Sequence, residues 1–332
     1  MSQLTSNSSA FIEAEQYSQF ILDNLQTFAL PDGLWRDVTD FGSGTTLNIK
    51  TIGTVTIQDG AEDTPLDFNA IDNNTLTLSI TDYKADAWRV SDELREDGAQ
   101  VEALMSMRAV ESTRALAVNH ETRFLAVAGS ESGTGQTNAD INLVNGQPHR
   151  WVAGGASATN RIMTMDDIIA AKLSMDKAGV PANGRIMIVD PVVEATFNSL
   201  SNLTNVSNNP HFEGIITEGF SKEHKFVKNI FGFDIWTSNF LPVKTATEAL
   251  DASSYNLAND TAEIGDVMNI AMCVADDNCK PVMHAWRQMP MVESERNKDL
   301  AQDEFVTRTR FGFGVQRNDT LGVILTSETA ID

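Results

Sequence analysis

A mixed fold of helices and sheets, α+β or α/β, is what this sequence of 332 residues predicts. Three observations carry the prediction. Residues 97–128 are free of proline and crowded with Ala, Leu, Met, Glu and Arg, the strong helix formers. Residues 47–49, 75–81 and 305–315 alternate apolar and polar side chains with the period of a strand. Residues 164–200 run helix, strand, helix within a short span.

At about 1.5 Å per residue the first of these stretches makes a helix of roughly 45–50 Å, longer than a compact domain needs. Asp97 followed by Gln100 resembles a capping box, and Gly129 stands where a left-handed terminating residue is expected. On a helical wheel the apolar side chains fall on two sides. Val101, Leu104, Met105, Leu116 and Val127 lie on one, and Met107, Val110, Val118, Phe124 and Leu125 lie broadly on the other. A surface helix of a globular protein shows one apolar stripe. Two faces mean several neighbours, either within the core of a monomer or across subunits.

The rest of the chain follows in order. A polar lead is followed by a predicted helix over 10–27 and an extended run through Trp35 and Phe41, an N-terminal arm or an ordinary first helix and loop. Leu47 and Ile49, then Leu76, Leu78 and Ile80, mark two strands of a hairpin over 44–90, with a bulge at Gly53 and a polar tip. A lone hairpin is marginal in water, so its apolar face needs cover and its edges invite another chain. Residues 130–160 read as loop. Thr164 caps a helix over 165–178 with Asp166 and Asp167 in its first turn, and Gly179 ends it. Residues 185–189 read as a short buried strand, and Pro191 starts a helix through Leu200. An Asn-rich connection at 201–211 leads to strand-like runs around a turn at Gly232, and 243–265 reads as a long polar loop. Strands return at 267–274, 281–286 and 305–315. In the last, Phe305, Thr307, Thr309, Phe311, Phe313 and Val315 share one face; Arg308, Arg310, Gly312 and Gly314 share the other.

Composition bounds the function. Forty-six acidic residues against 24 Lys and Arg give a net charge of −22, which repels nucleic-acid phosphate and anionic membranes. No signal peptide or apolar run of membrane length is present, and the only cysteines are Cys273 and Cys279, so a reducing compartment is expected. The glycine-rich 129–135 lacks the lysine of a phosphate loop, and Gly312 and Gly314 lie inside a strand, where close backbone approach is the natural reading. Cys273, Cys279 and His284 match no zinc spacing. If 276–278 is a hairpin turn, the two cysteines face each other across it. The five histidines are dispersed, and no nucleophile sits in a recognisable elbow. The expectation is a protein with no catalytic, cofactor-binding or metal-ligating residues, and not an enzyme.

The order of several weak motifs resembles a known family. YKAD at 83–86 leads from the hairpin toward the long helix, and VPANGR at 180–185 precedes IVDP at 188–191. NIFGFDI at 229–235 reaches NFLP at 239–242, and residues 308–315 precede NDTLGVI at 318–324, where Asn318 replaces the usual proline. Over roughly residues 20–325 this resembles HK97-fold major capsid proteins of tailed bacteriophages, and more closely those of short-tailed, T7-like phages. The resemblance implies an α+β, HK97-like capsid fold. Its parts would be an N-terminal arm (1–43), an E-loop β-hairpin (44–90), a peripheral domain with a spine helix (91–163), an axial domain (164–266), and peripheral return strands with the C-terminus (267–332). It implies self-assembly into the hexamers and pentamers of an icosahedral head around double-stranded DNA, packaged without specific binding along an acidic wall. Scaffolding and portal proteins are implied partners, with room for a decoration or minor capsid protein and no membrane. The place implied is the virion, assembled in the bacterial cytoplasm. Leu76, Leu78 and Ile80 of the hairpin and Met107, Val118 and Leu125 of the spine helix are the candidate contacts between subunits. Covalent cross-linking through a hairpin lysine, made by some relatives, is not expected, because Lys50 and Lys84 flank the hairpin and its tip holds none. The N-terminus is expected to persist, since no cleavage site is evident. Two alternatives stand beside this reading: an encapsulin-type nanocompartment, which needs a cargo-docking groove, and a soluble α+β enzyme, which the absent motifs disfavour.

Overall fold

The structure is a computed structural model that describes residues 30–31, 33–39, 44–52, 57–60, 62, 73–98, 101–129, 143–144, 147–154, 161–199, 229–249 and 261–329. The expected helix at 10–27, the bulge at Gly53, most of the hairpin tip and the connection at 201–211 lie outside them.

In chain order the strands and helices are β1 (Arg36–Asp37), β2 (Thr46–Ile52), β3 (Asn73–Ser79), β4 (Asp82–Ser91), α1 (Asp92–Asp97) and α2 (Val101–Gly129). Next come β5 (Leu143–Val144), β6 (Gln147–Pro148), β7 (Arg150–Val152), α3 (Met165–Lys177), β8 (Arg185–Val189), α4 (Pro191–Ser199), β9 (Asn229–Ile230) and β10 (Phe233–Thr237). The last are β11 (Glu248–Ala249), β12 (Thr261–Ala262), β13 (Asp266–Cys273), β14 (Val282–Asn297), β15 (Gln302–Val315) and β16 (Leu321–Ser327).

Two sheets organise the described residues. A four-stranded sheet has the order β1-β14-β15-β4, and a six-stranded sheet the order β7-β16-β13-β8-β10-β9. In the second sheet β8 is buried at every residue, and its side chains alternate between two cores. Ile186 and Ile188 join one cluster; Met187 and Val189 join the other. A strand covered on both faces reads as an unbroken apolar run, which is why RIMIV looked buried from sequence. Helices α3 and α4 supply Ile168, Ala171, Met175, Val193 and Phe197 to the second cluster. The start of α3 is fixed as expected: the Thr164 N–H donates to Asp167 Oδ2 at 2.8 Å, and Gly179 (φ +73°) ends the helix.

The spine helix differs from its expectation in two ways. Asp97 closes the separate helix α1, whose own cap is Ser91 Oγ, accepting from the Leu94 N–H at 3.4 Å. Gly129 is the last residue of α2 and does not adopt positive φ; a Cβ there would meet Pro242 Cγ at 2.6 Å. Close packing rather than a left-handed turn selects the glycine. The two apolar faces also resolve along the length of the helix. All the buried side chains of α2 lie from Ser112 onward, and Phe124, Leu125, Val127 and Ala128 are fully enclosed. There the helix is wedged between the sheets, with Phe311 and Phe313 of one and Ile270, Met272 and Val323 of the other in the same cluster. A helix buried on all sides shows no single stripe.

Three other expectations are corrected. Residues 82–91 form a full strand, paired with β15 from Asp82↔Phe311 to Ser91↔Gln302, rather than a lead into the helix. The strand expected at 281–286 continues to Asn297, and its register with β15 shifts around Gln288 and Met291. Pro290 and the charged side chains after it hide the strand in the sequence; Pro is tolerated there because it sits on an edge and at a bulge. The boundary expected at 266/267 does not separate the sheets, because β13 and β16 pair with each other and with β8 and β7 in the six-stranded sheet. The 276–278 turn therefore carries the chain from one sheet to the other instead of closing a hairpin. The described ends of the expected 243–265 loop pair as β11 and β12.

Candidate assembly surfaces

The hairpin of β2 and β3 is seated on its own chain. Leu47 pairs with Leu78 and Ile49 with Leu76, so these four side chains share a face. They pack with Ile80 against Met283, Ala285 and Val38. What lets the hairpin lie so close is the glycine pair of β15. A Cβ on Gly312 would stand 2.7 Å from the Ser79 carbonyl oxygen and 2.9 Å from Ile80 Cα, and one on Gly314 would meet Leu78 Cδ1 at 2.9 Å. The close approach inferred from the sequence is therefore the seat of the hairpin.

This placement divides the expected contact residues. Leu78, Ile80 and Leu125 are 1 %, 3 % and 0 % exposed, and neighbours in their own chain enclose them. Their reading as contacts between subunits is withdrawn: the sequence could not show that the hairpin face and the helix end find cover at home. Leu76, Met107 and Val118 are half-buried and keep surface to offer.

Beyond the hairpin seat the four-stranded sheet has two unlike faces. One carries Asp82 and Asp86 and lies under the spine helix, tied to it by Arg123–Asp82 and Arg108–Asp86 ion pairs, each 2.9 Å. The opposite face presents Tyr83, Ala85, Ala87, Arg89 and Met291 to solvent, with Arg308 paired to Glu293 among them. Past His284 the outer edge of β14 has no strand partner among the described residues. Around this ribbon Tyr83, Leu104, Val110, Met289, Val292 and Leu300 are each at least half exposed. An ion-pair network of Arg296 with Asp92 and Asp303, and of Arg95 with Asp303, ties α1 to the ribbon. The hydrogen bond from Arg296 holds the Asp92 carboxyl below its ordinary range. The ribbon surface went unseen in the sequence because a proline and eight charged residues between 287 and 304 mask the period-2 pattern.

The buried titratable groups act as clamps. Glu121 accepts from the Leu30 N–H (3.1 Å) and the Ser238 hydroxyl (3.0 Å), joining the N-terminal segment, the spine helix and the six-stranded sheet. Burial pushes its carboxyl up. Asp167 accepts from the N–H groups of Thr164 and Gly154, and burial raises it too. Asp266 accepts from the Glu263 N–H and pairs with Arg161. Arg150, almost fully buried, donates to the Gly129 carbonyl at 3.1 Å and so places positive charge at the C-terminus of α2. Cys273 and Cys279 are free thiols, and burial raises the thiol of Cys273. Among the described residues no three His, Cys, Asp or Glu converge as metal ligands, and no helix is long and apolar enough to cross a membrane.

Comparison with known proteins supplies the context for these surfaces. A family model described as phage capsid protein matches residues 73–326. A search of curated proteins finds no match. Among solved structures the chain is similar to the mature capsid of bacteriophage PhiM1 (TM-score 0.70, 15 % identity, 99 % of this chain and 98 % of that one). It is also similar to the capsid of cyanophage P-SCSP1u (TM-score 0.65, 17 % identity, 95 % and 93 %). A third likeness is to Mycobacterium phage Che8 (TM-score 0.62, 16 % identity, 94 % and 96 %). These likenesses show the fold, and with the family match the chain belongs to the phage capsid protein family as a major capsid protein of HK97-like fold.

Proposed function

We propose that the chain builds the hexamers and pentamers of an icosahedral phage head that encloses double-stranded DNA, and that the phage is of the short-tailed, T7-like type. The observation that carries this is the ribbon of β14 and β15, with its unpaired edge and its exposed Met289, Met291 and Val292. Exposed strand edges and apolar patches of this kind mark contact surfaces. In this reading the four-stranded sheet with α2 is the peripheral domain, the six-stranded sheet with α3 and α4 is the axial domain, and residues 1–43 are the arm. Leu76, Met107 and Val118 stay as contacts to neighbouring subunits. Scaffolding and portal proteins start and vent the shell in the host cytoplasm, and the subunit performs no catalytic step. The encapsulin alternative draws no support from a family match to phage capsid proteins.

The test is expression of the full chain, alone and with the products of adjacent genes, followed by sedimentation and negative-stain electron microscopy. Rings or closed shells are expected. A dispersed monomer under every combination sinks the proposal, and shells that enclose a cargo enzyme rather than DNA return it to the nanocompartment class.

A further inference from the structure

Two histidines meet where the N-terminal segment crosses the spine helix and the four-stranded sheet. His120 Nε2 of α2 and His284 Nε2 of β14 stand 3.0 Å apart. Trp35 packs over both, with ring centroids 5.2 Å from His120 and 5.8 Å from His284, and His120 stacks on Trp286 at 4.7 Å and 7°. Phe311 and Phe313 complete the cluster. Backbone bonds bind the same segment to His284. The Val38 N–H donates to the His284 carbonyl at 2.8 Å, β1 pairs Asp37 with His284, and the Trp286 N–H donates to Thr39 Oγ1 at 3.1 Å. His120 lines a cavity of about 640 Å³ together with Trp35, Asp37, Glu121, Lys280 and Trp286, whereas His284 is fully buried.

The hydrogen between the rings is assigned by burial. His284 Nδ1 has no partner among the described residues. An unpaired buried N–H is worse than an unpaired lone pair, so His284 carries its hydrogen on Nε2 and donates it to His120. The docked pair holds at most one extra proton. Two cationic rings with their N–H groups head to head repel each other, and no water reaches His284 to offset that.

We propose that His120 and His284 form a proton-operated latch, which holds the strap of residues 33–39 on the spine helix and the sheet and frees it in mildly acidic solution. Burial, and next the neighbouring His120, push the docked His284 down to about 3. Once the strap lifts, His284 regains water and with it the ordinary imidazole range near 6.5. Between these limits His284 gives the freed state about one proton more than the docked state. By linkage the docking equilibrium constant holds its full value above about pH 6.5 and falls roughly tenfold per unit below about pH 6.

The charged neighbours are Asp37 and Arg36 on the strap, Glu121 and Arg123 on α2, Asp82 on β4, and Asp277 and Lys280 on the turn before β14; β15 brings only Thr309 and aromatic rings. Arg36 donates to Asn278, Arg123 pairs with Asp82, and Lys280 pairs with Asp277. Asp37 favours the cation on His284. Glu121 works in the opposite sense to the latch, because burial raises its carboxyl and a proton there favours the docked state.

Deuterium exchange on the full-length, unassembled subunit tests the latch between about pH 7.5 and about pH 5, a range that brackets the solvated imidazole. Rates are corrected for their intrinsic pH dependence. Protection of peptides covering 33–39 is expected to fall about tenfold per unit below about pH 6, while peptides covering 266–273 stay protected. His284→Phe, and that change combined with His120→Gln, should remove the slope. If the phenylalanine variant loses protection across 266–273, His284→Gln replaces it as the readout. A strap whose corrected protection ignores pH in the natural sequence, or a slope that survives in the folded His284 variants, overturns the proposal.

Discussion

At the residue scale, Phe231 is the clearest case of local chemistry yielding to position. It sits with Gly232 between β9 and β10, where Ile230 faces Phe233 across a two-residue turn. Both turn residues have positive φ, +50° and +93°, the geometry in which Asn-Gly is the favoured pair. A phenylalanine held there costs about 1–3 kcal/mol, and its ring, 42 % exposed, recovers little by burial. Phe231→Asn is therefore expected to raise the stability of the isolated subunit by about 0.5–1 kcal/mol in urea unfolding. If the ring serves a neighbouring subunit, the same variant will assemble less well while it unfolds less readily. The sequence located the turn through Gly232; the strain at the residue before it needed the backbone.

Secondary-structure elements meet through a few permissive positions, and the hairpin seat shows how a glycine pair decides the outcome. At Gly312 an added methyl would meet Ser79 and Ile80 backbone, which cannot give way without moving β3. At Gly314 it would meet the ends of Leu78 and Met283, which can turn aside. Gly312→Ala should thus cost about 1–3 kcal/mol and loosen 46–52 and 73–80 in hydrogen exchange, with Gly314→Ala costing clearly less. Equal costs would mean that the hairpin does not sit on this strand. The glycine pair was legible because a glycine inside an alternating strand marks a bulge or a close approach of backbone. The rest of the neighbouring strand was not, because edge position and a bulge excuse Pro290 from the rule that normally ends a strand.

For the whole molecule, what matters is which apolar surface is left after the chain has covered itself. The C-terminal half of α2 is spent mostly between the two sheets and keeps only half-buried positions such as Val118 for a partner; the open sheet face and the ribbon keep exposed side chains. Met291→Glu, on that face and 46 % exposed, is expected to change subunit stability by no more than about 0.5 kcal/mol. It should lower the yield of shells in sedimentation by an order of magnitude or so, since about 1.4 kcal/mol lost at an interface is tenfold in its equilibrium constant. Normal shell yield from a folded variant would place the contact surface elsewhere.

Local pattern alone determined the capped helix at Thr164, the doubly buried strand at 185–189, the spine helix within a few residues of its ends, and the alternation of β15. Each depends on periodicity and side-chain chemistry that act over a few residues. Tertiary structure decided which sheet each returning strand joins and which apolar faces are already occupied. It also decided that His120 and His284, 164 positions apart, share one hydrogen. Those outcomes depend on long-range pairing, and a side chain's periodicity says that it wants cover without saying which part of the chain, or which subunit, provides it.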